Sequence, residues 1–249
     1  MALDGAQMAL SFAARAQYGR DNFFVSSANS AALALIEAWP RWPDKVLLLI
    51  GPSGSGKTHL AHIFAAHALA KLVSPGDLAA IQPQDIARLP TLVLEDIDKA
   101  MSPELEAPLF HLLNLMREAG QGLLLTAASA PDLWGIATQD LLSRLRLAPS
   151  VQLQAPDDAL FRAALRKMMN ERQLVVDDTT FDYIALRLDR SLDSAQLVLE
   201  KMDHLAMQHQ RAITRSLAAA FLNQHQNQPD LFGEDPEHHP HDHSLEKKP

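Results

Sequence analysis

Residues 51 to 58 read Gly-Pro-Ser-Gly-Ser-Gly-Lys-Thr, a complete G-x-x-x-x-G-K-T loop. The chemistry open to it is phosphate binding. Its glycines let consecutive backbone N–H groups turn inward on an anion, and a helix opening near Lys57 adds partial positive charge. Lys57 can reach β- and γ-oxygens, and the Thr58 hydroxyl is the expected Mg²⁺ ligand. An ordinary Gly/Ser turn would share this composition. What separates the two is context: the motif means nucleotide binding when a buried strand precedes it and a helix follows. Both are present, as Val46-Leu47-Leu48-Leu49-Ile50 before and an Ala/His/Leu-rich stretch over 57–71 after. Gly51, Pro52, Ser53, Gly54, Ser55, Gly56, Lys57, Thr58 and the adjoining His59 are the candidate contacts to a nucleoside di- or triphosphate.

A second chemical signal is Leu92-Val93-Leu94-Glu95-Asp96. In phosphate-loop NTPases an acid ending a neighbouring strand holds Mg²⁺ through water, and an adjacent acid polarises the attacking water. Glu95 takes the metal position and Asp96 the catalytic one. The metal position is more usually Asp, so the extra methylene of Glu95 shifts the ion or its waters. The competing reading is an exposed acidic strand end.

These residues need elements to hold them. Short apolar runs at Val46–Ile50, Thr91–Leu94, Gly122–Thr126 and Val151–Leu153 read as buried parallel strands. Ser102-Pro103-Glu104 gives a cap, an N1 proline and a first-turn acid for a helix to Ala119. Alternating strands and helices predict an α/β fold, a parallel sheet flanked by helices. After Pro156 the pattern becomes all-helical, with segments over 157–172, 178–188, 191–208 and 214–222, read as a lid. The expected organisation is an N-terminal segment over 1–20, a nucleotide-binding subdomain over 21–155, a helical lid subdomain over 156–223 and a disordered polar tail over 224–249.

Composition narrows the function classes. The 249-residue chain has no cysteine, which excludes disulfides and thiolate metal sites. Its 30 acidic against 22 basic residues, net −8, argue against tight duplex binding by this chain alone. No apolar stretch reaches the roughly 20 residues of a membrane helix, and no basic signal region opens the chain, so no membrane association and a cytoplasmic location are expected. The His-rich run 238–243 reads as a solvated tail and not as a metal site.

Val46–Thr58, Leu92–Asp98, Leu123–Pro131, Asp140–Arg146 and the helical end together resemble the AAA+ module of the bacterial replication initiator family DnaA, and within it the short regulatory relatives. The resemblance covers roughly residues 21–223. It implies ADP or ATP with Mg²⁺ as the cofactor, and it makes Arg144, in Asp140-Leu141-Leu142-Ser143-Arg144-Leu145, an arginine finger acting on a neighbouring subunit's nucleotide. An exposed basic helix face is the alternative for Arg144 and Arg146. The sequence also departs from the family. Ala128 stands where a sensor Asp is usual, leaving Thr126 or Ser129 as polar substitutes. Asp193 stands where the lid arginine is expected, with Arg190 one turn earlier as a replacement. Both departures predict slow hydrolysis in cis. Phe23, Val25 and Asn29 align with the base pocket.

Gln7-Met8-Ala9-Leu10-Ser11-Phe12 resembles the peptide by which bacterial proteins dock on the DNA polymerase III sliding clamp (its β subunit), with Gln7, Met8, Leu10 and Phe12 as contacts; an apolar groove would take Leu10 and Phe12 as anchors. Gln228-Pro229-Asp230-Leu231-Phe232 offers a second such site through Gln228, Leu231 and Phe232. The resemblance further implies DnaA as a partner, DNA reached only through the clamp, and self-association left open. The helix-turn-helix domain and extra helices of DnaA have no counterpart in this pattern. The function expected is negative regulation of replication initiation, by stimulating hydrolysis of DnaA-bound ATP. The alternative is an autonomous AAA+ ATPase such as a helicase loader, and a third is a module using nucleotide only for structure.

Overall fold

The computed structural model describes residues 18–80, 91–209 and 213–226. The clamp-peptide residues Gln7, Met8, Leu10 and Phe12, and Gln228, Leu231 and Phe232, lie outside the described residues.

The sheet is built from β1 (Val46–Ile50), β2 (Lys71–Val73), β3 (Leu92–Leu94), β4 (Leu123–Ala127) and β5 (Ser150–Gln152). Its order is β2-β3-β4-β1-β5 and every pairing is parallel. Residues of β1 alternate between two cores because successive side chains leave a strand on opposite faces. Val46, Leu48 and Ile50 enter one, against Leu109, Leu113, Met116, Leu141 and Leu145; Leu47 and Leu49 enter the other, against Ile36, Leu60 and Phe64. Burial on both faces explains the unbroken apolar runs of β1 and β3 and of Leu123–Leu125 in β4.

The helices supplying those partners are α1 (Ser30–Glu37), α2 (Lys57–Ala68), the single turn α3 (Ile97–Ala100), α4 (Pro103–Ala119) and α5 (Gln139–Leu147). Then come α6 (Asp158–Glu171), α7 (Asp178–Arg187), α8 (Leu192–His209) and α9 (Arg215–Gln226). These last four close their own core around Phe161, Leu165, Phe181, Ile184, Leu199 and Phe221. No helix among the described residues is long and apolar enough to cross a membrane.

The structure corrects the helix expected over 57–71. It stops at Ala68, where Leu69 turns left-handed at φ 51°, and Lys71–Val73 becomes the edge strand β2. Helix α1 is an element beyond those expected from the sequence.

Candidate functional site

The loop after β1 is shaped for an anion. Gly54 and Gly56 carry positive φ, 69° and 97°, which an L-residue rarely adopts. Helix α2 starts at Lys57, so its first N–H groups face the loop. Lys57 is mostly buried, and burial pulls its pKa below the ordinary lysine value, with Asp96, Asp193 and Asp98 acting the other way. Its amino group donates to the Gly51 carbonyl at 2.8 Å and the Pro52 carbonyl at 3.0 Å. The Ser55 hydroxyl oxygen is buried in the same loop with no partner. A phosphate group fits this donor set: an orphaned hydroxyl, a lysine and open backbone turns around a helix N-terminus.

Ser53 to His59 line one wall of a cleft. Phe23, Phe24 and Asn29 line another, and Val25 does not. The amide of buried Asn29 is spent on its own loop: it donates to the Phe24 carbonyl and accepts the Ser26 N–H, both at 2.9 Å. His59 holds the entering chain by its ring nitrogen, 3.1 Å from the Gly19 carbonyl, with Tyr18 and Phe23 edge-on to its ring. Burial lowers its pKa below the usual histidine value.

The two acids after β3 part company. Asp96 reaches the cleft wall, while Glu95 is not among the lining residues. The charge of Glu95 falls instead on Tyr18 and on His62, one turn beyond Thr58 on α2. Asp96 has φ 51°; its N–H donates to the Thr126 hydroxyl at 3.0 Å, and its carboxylate pairs with Lys99 at 2.9 Å. Among the described residues no three His, Asp or Glu side chains are grouped so as to hold a metal ion. A Mg²⁺ here would take most of its ligands from phosphate and water, its normal habit.

The polar substitutes after β4 are already engaged. Thr126 serves Asp96, and the N–H groups of Ala128 and Ser129 bind Asp98 Oδ2 at 2.8 and 3.2 Å. Asp98 thereby fills the amide nest beside Ala128, and its other oxygen is buried without a partner.

The lid closes the cleft with Leu160, Ala164, Lys167, Met168 and Glu171 of α6 and with Leu192, Asp193 and Gln196 of α8. Lys167 donates to the Asn22 carbonyl at 3.3 Å. Asp193 accepts from the Ser53 hydroxyl at 2.7 Å. Arg190, expected on the nucleotide, is instead 3.4 Å from Asp158 and does not line the cleft. Its partner there is an exposed carboxylate on the first turn of α6. The three-to-four spacing of Leu160, Ala164, Lys167 and Glu171 is the sequence signal for the α6 wall, one that any amphipathic helix over 157–172 would share.

Arg144 sits apart from this cleft, on α5. Its guanidinium lies over the Phe110 ring of α4, 5.0 Å from the centroid. Arg146 pairs with Asp132. Glu106 of α4 fixes the start of α5: its two oxygens accept the Ala137 and Thr138 N–H groups, each at 2.8 Å.

No protein-family model matches the chain. Among curated relatives, the replication initiator DnaA of Cutibacterium acnes is 26% identical over 230 residues, 83% of this chain and 46% of that protein. The chain spans about half the length of the DnaA relatives it matches. Among solved structures, domain III of Thermotoga maritima DnaA superposes with a TM-score of 0.72 at 17% identity, covering 84% of this chain and 96% of that one. AMPPCP-bound DnaA from Aquifex aeolicus superposes with a TM-score of 0.62 at 18% identity, covering 75% and 65%. The fold is AAA+, and the sequence relationship runs to DnaA.

Proposed function

From this DnaA-related AAA+ fold we propose that the chain is a negative regulator of replication initiation of the Hda type, working in the cytoplasm. It holds ADP or ATP in the cleft between sheet and lid. Ser53 to Thr58 take the phosphates, Thr58 would hold Mg²⁺, Asp96 is the acid that lines the cleft beside it in the catalytic position, and Phe23 and Asn29 flank the base. Bound Mg²⁺–nucleotide would supply negative charge between the phosphate loop and the lid residues Lys167 and Asp193 that line the cleft. Gln7, Met8, Leu10 and Phe12 dock the chain on the DNA-loaded clamp, with Gln228, Leu231 and Phe232 as a second contact. Arg144 is then presented to ATP on DnaA and stabilises the negative charge developing on the transferred phosphoryl group, the role of an arginine finger in trans.

One observation carries this reading. Arg144 has no ion pair among the described residues, although its neighbour Arg146 does. A guanidinium left without a carboxylate on a well-fixed helix is what a finger requires. The second reading, an autonomous ATPase such as a helicase loader, draws on the complete phosphate loop. Against it, Thr126 and the Ala128 and Ser129 amides are consumed within the chain, and Asp193 brings negative charge to the loop. Those features support slow turnover in cis.

The deciding assay measures hydrolysis of DnaA-bound ATP with the clamp loaded on DNA, for wild type, Arg144→Ala and a Leu10→Ala, Phe12→Ala double variant. Stimulation by wild type alone is the expected result. No stimulation by wild type ends the regulator reading, and full activity of the double variant ends clamp docking through Gln7–Phe12.

A further inference from the structure

We propose that Asp193 is an internal competitor for the phosphate site, a lid carboxylate that occupies the phosphate loop until the phosphates of a nucleotide displace it. The inference rests on the nucleotide-binding reading above and names the residue that tunes that site's affinity.

The contact is built, not incidental. Asp193 Oδ2 accepts from the Ser53 hydroxyl at 2.7 Å across 140 residues of sequence. Beside it, the Leu192 N–H donates to the Gly54 carbonyl at 3.2 Å. A Cβ added to Gly54 would lie 2.2 Å from Ser191 Oγ and 2.6 Å from the Leu192 nitrogen. The start of α8 therefore rests directly on the tip of the phosphate loop, and only glycine allows the approach.

The chemistry of the loop explains why a carboxylate goes there. A turn of inward N–H groups at a helix N-terminus attracts anions of any source, and Asp193 meets that turn at its tip through the Ser53 hydroxyl. Asp193 is an anion tethered to the same chain, so it competes at a high effective concentration. The charge of Asp193 also reaches Lys57, whose amino group has turned back onto Gly51 and Pro52. An incoming polyphosphate must break the Ser53 contact and then share the space with a like charge. Asp193 and Ser53 are both exposed, so the repulsion is that of close like charges at a protein surface, screened by water and salt but still opposing each added phosphate. The penalty grows with each phosphate, and displacement of Asp193 also cuts a tie between lid and loop.

Isothermal titration of the full chain with Mg²⁺–ADP and Mg²⁺–ATP tests this in wild type, Asp193→Asn and Asp193→Ala. Asn keeps a hydrogen-bond acceptor and loses the charge; Ala loses both. Removing one like charge from a charged hydrogen-bonding site is expected to raise affinity about tenfold, and more for ATP than for ADP. Amide exchange at Leu192 supplies an independent readout: it is expected to quicken when ADP saturates the wild type. Were Asp193 only a first-turn acid of α8, both variants would lose thermal stability and keep wild-type affinity, which overturns the inference. Slower Leu192 exchange on ADP binding overturns it too. No binding by any variant or by wild type removes the nucleotide reading itself, a result distinct from unchanged binding by all three.

Discussion

The Arg144 guanidinium rests on the Phe110 ring, 5.0 Å from its centroid, while Arg146 on the same helix is neutralised by Asp132. A ring attracts a cation by its quadrupole and leaves the N–H donors free for another acceptor. Phe110 is thus a rest for Arg144 and does not consume its charge. Arg144→Ala is expected to cut stimulation of DnaA-bound ATP hydrolysis by roughly 10³-fold or more, the scale of a lost arginine finger. Phe110→Leu should cost about tenfold, near the upper range of one cation–π contact, and Phe110→Tyr should keep most of the activity. Equal rates for wild type and Phe110→Leu would remove the positioning role.

Lys57→Met tests the phosphate loop. Its amino group contacts only two carbonyls of its own loop, and its burial is already unfavourable to the charge. Losing it costs the unliganded fold little. A charged hydrogen bond to phosphate is worth about 1.5–3 kcal/mol, so ADP affinity should fall by about 10- to 150-fold. Wild type should gain thermal stability from ADP by mass action, and the variant should show almost none of that gain at the same concentration. A normal ADP-dependent rise in Tm for Lys57→Met would count against the assigned loop.

The phosphate loop and its strand were legible because β1 is buried on both faces and reads as five consecutive apolar residues. Edge strand β2 was not: it has three residues, two of them exposed, and follows an Ala-rich helix without a break in composition. The departures at Ala128 and Asp193 could be seen in the sequence, but not their consequences. That Asp98 would take the Ala128 and Ser129 amides depends on how α3 seats against β4. That Asp193 would meet Ser53 depends on the lid folding back over the sheet. Contacts between distant segments have no local period to betray them, which is also why Lys167 escaped notice.

Glu106 places the helix that carries Arg144. It accepts the Ala137 and Thr138 N–H groups, and the Thr138 side chain first, then those amides, hold its pKa below the ordinary carboxylate value. Glu106→Ala leaves two N–H groups at the entry to α5 without an acceptor. The expected outcome is a lower Tm together with weaker stimulation of DnaA-bound ATP hydrolysis, while ADP affinity is unchanged because the nucleotide cleft lies elsewhere. A variant with lowered Tm but full stimulation would show that α5 holds Arg144 without Glu106.

Asp177 gives the lid a defined acid limit. It caps α7, accepting the Thr180 N–H at 2.8 Å and the Thr180 hydroxyl at 3.0 Å. Bonds from the Thr179 hydroxyl, then from Thr180, lower its pKa from 3.8 to about 2. The group binds its proton more weakly folded than unfolded, so its stabilising contribution is fully present above the unfolded value. The contribution declines as pH falls from about 4 and is gone once pH passes below the folded value near 2. Asp177→Asn keeps a capping oxygen and removes the titration. Urea unfolding of both proteins across that range should show the wild-type advantage shrinking between pH 4 and pH 2. A stability difference that stays constant over the same range would mean that the cap does not titrate there, and that acid unfolding of the lid starts at another carboxylate.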